Sequence, residues 1–123
     1  MSVTILVIDD SRMVRHQVGR ALSAAGFVVV EAENGTEALE QLAANPETRL
    51  VICDVNMPQM NGLEFLERLN EDHVAVPVVM LTTEGQPELI QRAKALGAKG
   101  WLVKPFKPET LVATAKKLTA SAA

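Results

Sequence analysis

Five side chains that are far apart in the sequence could together carry out chemistry. They are the carboxylates of Asp9, Asp10 and Asp54, the hydroxyl of Thr82 and the ammonium group of Lys104. Charged oxygen ligands suit a hard cation such as Mg²⁺, and the lysine and threonine could donate hydrogen bonds to phosphoryl oxygens. Asp54 is the best candidate nucleophile, because it stands alone whereas Asp9 and Asp10 form an acidic pair. If the fold brings the five together, they predict phosphoryl transfer onto Asp54, giving an aspartyl phosphate.

The elements that must position these residues follow from the apolar pattern. Five short runs rich in Val, Ile and Leu occur at residues 3–8, 28–32, 50–53, 78–81 and 100–103. Most are continuous rather than alternating, which is typical of strands covered on both faces of a parallel sheet. Between them, apolar residues recur every three or four positions, as in Leu63, Leu66 and Leu69, which predicts amphipathic helices. Five βα units predict an α/β fold with a five-stranded, doubly wound parallel sheet in a single domain.

Glycine and proline mark the predicted helix ends. Gly26 and Gly97 come just after helical patterns, where a left-handed cap is common. Pro87 and Pro108 occupy first-turn positions, where a missing N–H costs nothing. The Asn34-Gly35 and Asn61-Gly62 pairs are interpreted as turns.

This alternation predicts where the five side chains meet. Ligands of such sheets bind beyond the carboxyl ends of the strands, where the strand order reverses. Those ends carry Asp9 and Asp10 after the first strand, Asp54 at the third, Thr82 and Thr83 at the fourth and Lys104 after the fifth. Glu31 and Glu33 are excluded, because an edge strand would direct them away. Two unit charges about 4 Å apart repel by roughly 4 kcal/mol at an effective dielectric of 20, so either one aspartate keeps its proton or a cation lies among them.

The composition restricts the class of protein. The chain has 123 residues, a net charge of −3 and a pI of about 5.4, which gives no electrostatic reason to expect nucleic acid or an anionic membrane as a partner. Cys53 is the only cysteine, so an internal disulfide is excluded, and we expect the residue to pack in the core on the face opposite Asp54. No apolar run approaches the length of a transmembrane helix. We expect a cytoplasmic protein.

Each candidate residue also has a purely structural interpretation. Asp10 or Ser11 could cap the helix predicted to begin at Arg12. Thr82 could be a strand residue with a satisfied hydroxyl, and Lys104 a solvated lysine before a turn. His16 and His73 have no partner at metal-ligand spacing and are expected on the surface.

Four motifs together resemble a known family. They are the DD of LVIDDS, the ICDVNMPQMNG segment around Asp54, the LTTE at residues 81–84 and GWLVKPF, which contains Lys104. Across residues 1–123 the chain resembles a receiver domain of the two-component response regulators, and it is most similar to the stand-alone chemotaxis regulators of the CheY type. That resemblance implies a flavodoxin-like fold with strand order 2-1-3-4-5.

The resemblance also implies a role for each site residue. Asp54 would accept a phosphoryl group from the phosphohistidine of a histidine kinase. Asp10, Asp54 and the backbone carbonyl of Asn56 would bind Mg²⁺, and Asp9 would act on it mainly through water. Thr82 and Lys104 would contact the phosphoryl group, and the bond from Lys104 to Pro105 would be cis, which is uncommon at roughly 5 to 6% of such bonds.

The resemblance implies a switch as well as a site. Thr82 and Trp101 would form it, although the family usually has Tyr or Phe where this chain has Trp101. Thr83 replaces the common Ala or Gly and could narrow access to Asp54. The protein would catalyse only its own phosphorylation and dephosphorylation, and would act as a monomer on another protein, such as a flagellar motor switch component or a phosphorelay carrier.

Two functions from other classes remain as alternatives. A metal-dependent phosphohydrolase could work through the same aspartyl phosphate, but the second acidic residue of haloacid-type phosphatases is missing, because Asn56 lies two positions after Asp54. A cofactor-binding α/β module would need a glycine-rich phosphate loop, and neither G-x-G-x-x-G nor G-x-x-x-x-G-K-[ST] occurs.

Overall fold

The computed structural model describes residues 2–55, 60–83 and 87–120, with the backbone only of Thr83. Five strands and five helices alternate along the chain. The strands are β1 (Thr4–Ile8), β2 (Val28–Ala32), β3 (Thr48–Asp54), β4 (Val78–Thr83) and β5 (Gly100–Lys104). The helices are α1 (Arg12–Ala24), α2 (Gly35–Ala44), α3 (Gly62–Glu71), α4 (Pro87–Ala95) and α5 (Pro108–Ala120).

The five strands form one parallel sheet in the order β2-β1-β3-β4-β5. This confirms the predicted fold class and strand order. The strand order reverses between β1 and β3, so the ends of these two strands lie side by side at the switch point. Cys53 is in register with Ile8 on one side and with Met80 on the other. The carboxyl ends of the central strands therefore meet at one edge.

The helices cover both faces of the sheet, and each face has its own core. On one face, Ile5, Val7 and Ile52 pack with Leu22 of α1 and Leu111 of α5. On the other, Ile8, Cys53 and Met80 of the strands pack against α2, α3 and α4, which contribute residues such as Ala38, Phe65 and Ala93. Because both faces are covered, the central strands are apolar throughout, which explains why the sequence shows continuous runs.

The predicted helix ends are largely confirmed. Gly26 and Gly97 both have φ of +97°. At each, the glycine N–H and the next N–H bond back to carbonyls of the last helical turn, as when Gly26 N–H bonds Ser23 O and Phe27 N–H bonds Leu22 O. Pro87 and Pro108 are the first residues of α4 and α5. Among the described residues, no helix is long and apolar enough to cross a bilayer.

Two details differ from the sequence prediction. The third, fourth and fifth strands extend beyond their apolar runs, because backbone pairing continues through polar residues such as Asp54, Thr83 and Lys104. The two Asn-Gly pairs are helix N-caps rather than turns, since Asn34 and Asn61 accept hydrogen bonds from the N–H groups of Glu37 and Glu64.

Candidate functional site

Three carboxylates lie together at the carboxyl edge of the sheet. Asp9 and Asp10 follow β1, Asp54 ends β3, and one oxygen from each lies within 4.8 Å of the others. Asp9 is completely buried and Asp54 is 4% exposed, whereas Asp10 is exposed. The predicted meeting of these three residues is confirmed. We call Asp9, Asp10, Asp54 and Lys104 the acidic pocket.

Lys104 provides the positive charge of the acidic pocket. Its Nζ lies 3.0 Å from Asp9 Oδ2 and 3.5 Å from Asp54 Oδ2. Its side chain is 18% exposed, so the structure does not support a solvated lysine before a turn. The peptide bond from Lys104 to Pro105 is cis, as expected.

Asp9 is held by hydrogen bonds on both of its carboxylate oxygens. Oδ2 accepts from Lys104, and Oδ1 accepts from the backbone N–H of Ser11 at 2.9 Å. Ser11 in turn caps α1, accepting from the N–H of Val14 at 3.3 Å. The capping interpretation is thus correct for Ser11, which leaves Asp10 available for another purpose.

The sequence prediction did not include a half-buried arginine, Arg15, and its partner Glu31. Arg15 donates from Nη1 to the carbonyl of Asp9 at 2.6 Å, and its Nε lies 3.2 Å from Glu31 Oε1. Glu31 does not join the carboxylate cluster, as predicted. The sequence did not predict, however, that Glu31 would be connected to Asp9 through Arg15. The sequence does indicate that Arg15 faces the sheet, because it lies on the same face of α1 as the buried Val18 and Leu22.

Thr82 lies near the end of β4 and is 1% exposed. Its Oγ1 has no hydrogen-bond partner among the described residues. A buried hydroxyl without a partner costs about 1 to 3 kcal/mol, so the interpretation of Thr82 as a satisfied strand residue is not supported. The hydroxyl is left available for a ligand.

Residue Gly62 brings the start of α3 against the backbone of Asp54. Its N–H donates to the carbonyl of Val55 at 3.0 Å. A Cβ at this position would lie 2.7 Å from the carbonyl oxygen of Asp54 and 2.5 Å from Cε of Met80. Only glycine allows this approach. The glycine of the Asn61-Gly62 pair is therefore required by the packing of α3 close to the predicted nucleophile, Asp54.

The neighbour of Asp54 in the strand is a core residue. Cys53 is fully buried and packs on the face covered by α3, as predicted. Burial, followed by the charges of Asp54 and Asp9, raises the pKa of the Cys53 thiol well above its usual range. A thiol that stays protonated is a poor nucleophile, which leaves the chemistry to the carboxylates.

Trp101 lies in β5, paired with Met80 of β4, and is half-buried. Nζ of Lys94, from α4, lies 4.5 Å from the centroid of the indole ring. His16 and His73 are exposed, as expected. Asn56, Glu84 and the side chain of Thr83 lie outside the described residues, so the predicted metal contact of Asn56 and the predicted effect of Thr83 on access stay predictions.

The residues of the acidic pocket fit a divalent cation. Its three carboxylates offer oxygen ligands, two of them are buried, and the single ammonium group of Lys104 cannot offset three negative charges. The three oxygen atoms lie within 4.8 Å of one another, and two ligands of one Mg²⁺ ion lie at most about 4.2 Å apart, so only a small closing movement is needed for them to share one ion. The orphaned hydroxyl of Thr82 further suits a site that is completed by a ligand.

Comparison with known proteins identifies the family. Residues 5–116 match the model of the response regulator receiver domain. The chain is 43% identical over 111 residues to chemotaxis protein CheY1 of Helicobacter pylori, covering 87% of this chain and 89% of that protein. It is 40% identical to a chemotaxis protein CheY homolog of Campylobacter jejuni, covering 87% and 85%.

A solved structure agrees with these relatives. Chemotaxis protein CheY4 of Vibrio cholerae superimposes with a TM-score of 0.87 at 42% identity, covering 96% of this chain and 99% of that one. Fold, motif positions and sequence identity over most of the chain lead to the same conclusion: this chain belongs to the response regulator receiver domain family.

Proposed function

We propose that this protein is a phosphorylation-controlled switch of a two-component system, with Asp54 as the phosphoryl acceptor. The observation that carries the proposal is the acidic pocket itself, in which Lys104 contacts both Asp9 and Asp54 at the switch point of the sheet. Asp54 is the preferred acceptor, because it ends the central strand β3 and lies 3.5 Å from the ammonium group of Lys104. The donor would be the phosphohistidine of a histidine kinase.

The chemistry follows from the groups present. An oxygen of the Asp54 carboxylate forms a bond to phosphorus while the phosphorus–nitrogen bond of the donor breaks, its electron pair staying on the imidazole nitrogen. Lys104 and Thr82 donate to the phosphoryl oxygens and stabilise the charge that develops there. Asp10 and Asp54, with Asn56, would hold Mg²⁺, which supplies positive charge for the phosphoryl oxygens.

Self-catalysed dephosphorylation would return the switch to its resting state. Water adds to phosphorus, the bond from phosphorus to the Asp54 oxygen breaks, and inorganic phosphate leaves. The group that is phosphorylated and dephosphorylated belongs to the protein itself, so we consider the protein a signalling component rather than a dedicated enzyme.

The donor needs a route to Asp54. A depression of about 360 Å³ beside Lys104 is lined by Val14, Gln17, Pro105 and Phe106, and Met13 on the adjacent turn of α1 is 70% exposed. A largely apolar surface beside Lys104, which itself contacts Asp54, suits docking of the donor protein. This surface supports a protein, rather than a small molecule, as the phosphoryl donor.

The effect of phosphorylation would be transmitted to the protein surface through Thr82 and Trp101. Phosphate on Asp54 attracts the Thr82 hydroxyl and so biases the packing of Trp101 on the neighbouring strand, which a target protein distinguishes. Because relatives are named chemotaxis proteins, we propose a flagellar motor switch component as the target. The protein would act as a monomer in the cytoplasm.

A substitution at the acceptor tests the proposal. Asp54→Asn should abolish phosphorylation by acetyl phosphate in the presence of Mg²⁺, because the amide is not a nucleophile of comparable strength. Mass spectrometry of the intact protein and of the peptide that contains residue 54 measures the added phosphoryl group. The matched control is Asp72→Asn, which removes an exposed carboxylate at the end of α3 and should leave labelling unchanged. Equal labelling of the Asp54→Asn protein would refute the assignment.

A further inference from the structure

We propose that Arg15 is a positioning residue for the divalent-cation site: by tying the Asp9 carbonyl to Glu31, it sets the direction of the Asp10 carboxylate. This inference rests on the proposed function, since it requires that the acidic pocket bind a cation. Arg15 lies in the second turn of α1, and its side chain is only 12% exposed. Arginine is rarely buried to this extent unless it is paired.

The guanidinium group connects two strands. Nη1 bonds the Asp9 carbonyl at the end of β1, at 2.6 Å, and Nε pairs with Glu31 of β2 at 3.2 Å. Two different nitrogens of one rigid, planar group thus hold two acceptors in a fixed relation, which a lysine with its single nitrogen does not reproduce. The N–H of Asp9 also bonds β2, donating to the carbonyl of Ala32 at 3.1 Å.

Fixing the Asp9 carbonyl affects Asp10 through the backbone. The carbonyl oxygen of Asp9 and the Cα of Asp10 belong to the same planar peptide unit. A hydrogen bond that fixes this plane therefore also fixes the direction in which Asp10 leaves the end of β1. The Asp10 side chain is exposed and accepts no hydrogen bond from the described residues, so its direction depends on the backbone.

The charge of Arg15 and its geometry predict effects of opposite sign. A positive charge beside the cation site repels the cation, so removing the charge alone would strengthen cation binding. Removing a group that orients a ligand weakens binding, typically about 10- to 100-fold for partners of this kind. The sign of the change therefore separates the two roles.

The experiment measures Mn²⁺ as a surrogate for Mg²⁺ on the full chain, by electron paramagnetic resonance of the free ion. Arg15→Met should bind Mn²⁺ about 10- to 100-fold more weakly than the wild type. Arg15→Lys should also bind more weakly, although it keeps the charge. Glu31→Met, which removes the half-exposed acceptor and keeps a side chain of similar length, should lose about two- to fivefold.

Two controls separate positioning from general stability. Arg20→Met removes an exposed arginine of the same helix and should leave Mn²⁺ affinity unchanged. Urea unfolding without metal measures the stability of each variant, because a merely structural Arg15 would lower the free energy of unfolding without changing the affinity of the folded protein.

The outcomes are distinct. Unchanged or tighter Mn²⁺ binding by Arg15→Met, or unchanged binding by Glu31→Met, would overturn the positioning role while leaving the proposed function intact. If circular dichroism shows that Arg15→Met does not fold, Arg15→Lys decides, and unchanged affinity there overturns the proposal. A wild-type protein that binds no Mn²⁺ would instead contradict the proposed function itself.

Discussion

The acidic pocket and the surface around Trp101 lie in neighbouring parts of the same sheet but are held in different ways. In the pocket, Asp9 is fully buried and receives hydrogen bonds or ion pairs from α1 and β5. Trp101 is half-buried, and the charged contact on its ring comes from Lys94, an exposed residue of α4. The acidic pocket is fixed by buried charged interactions, whereas the indole packs on the core and its charged contact, with Lys94, is exposed.

This difference suits a switch. Breaking a buried ion pair costs about 3 to 5 kcal/mol, while an exposed cation–π contact contributes about 0.5 to 1 kcal/mol. A ligand can only move an equilibrium by its differential affinity for two states. The half-buried indole with its exposed contact is therefore the part that we expect phosphate binding to move, while the pocket keeps its geometry. Three substitutions test this contrast.

The largest effect is expected in the pocket. Lys104→Met removes the ammonium group that bonds the fully buried Asp9, so the metal-free protein should lose about 3 kcal/mol in its free energy of unfolding. Added Mg²⁺ should recover part of the loss, because it supplies positive charge at the same place. Urea unfolding with and without Mg²⁺ measures both. Lys99→Met, at an exposed position before β5, is the control, and an equal loss there would remove the distinction.

A smaller effect is expected where α3 meets Asp54. Gly62→Ala would place a methyl group 2.7 Å from the Asp54 carbonyl oxygen and should destabilise the protein by about 1 to 3 kcal/mol. At Gly19, in the middle of α1, the nearest atom to a new Cβ is 3.6 Å away, so Gly19→Ala should stabilise by up to about 1 kcal/mol. Thermal unfolding compares the two. A Gly62→Ala protein as stable as the wild type would show that the backbone around Asp54 can shift without a loss of stability.

The smallest effect is expected at the indole. Lys94→Gln should lower the free energy of unfolding by about 0.5 to 1 kcal/mol and leave Mn²⁺ affinity unchanged, since Lys94 contacts no residue of the pocket among the described interactions. Trp101 is the only tryptophan, so its fluorescence reports this region alone and should change when Mg²⁺ and a phosphate mimic are added. Lys117→Gln, on the exposed side of α5, serves as the control. If Lys94→Gln changes the Mn²⁺ affinity more than threefold, the acidic pocket and the surface around Trp101 are coupled even in the unphosphorylated protein.

The sequence alone was sufficient to predict most of the fold and the core of the site. Continuous apolar runs, helical spacing and the positions of Gly26, Gly97, Pro87 and Pro108 are local signals, and they gave the element order correctly. The meeting of Asp9, Asp10 and Asp54 followed because parallel strands end at a common edge. The Asn-Gly pairs were misread, since one dipeptide serves both turns and helix N-caps and only the following helix distinguishes them.

What the tertiary structure alone decided is the pairing of charged groups. Residue types and their order determined that carboxylates, a threonine and a lysine would collect at one sheet edge. They did not determine that Lys104 would bond Asp9 more closely than Asp54, nor that Arg15 would join Asp9 to Glu31. Those contacts depend on side-chain directions and on the approach of α1 to the sheet, to within about an ångström. Strand periodicity sets which edge a side chain reaches, whereas packing in three dimensions sets which atom it contacts.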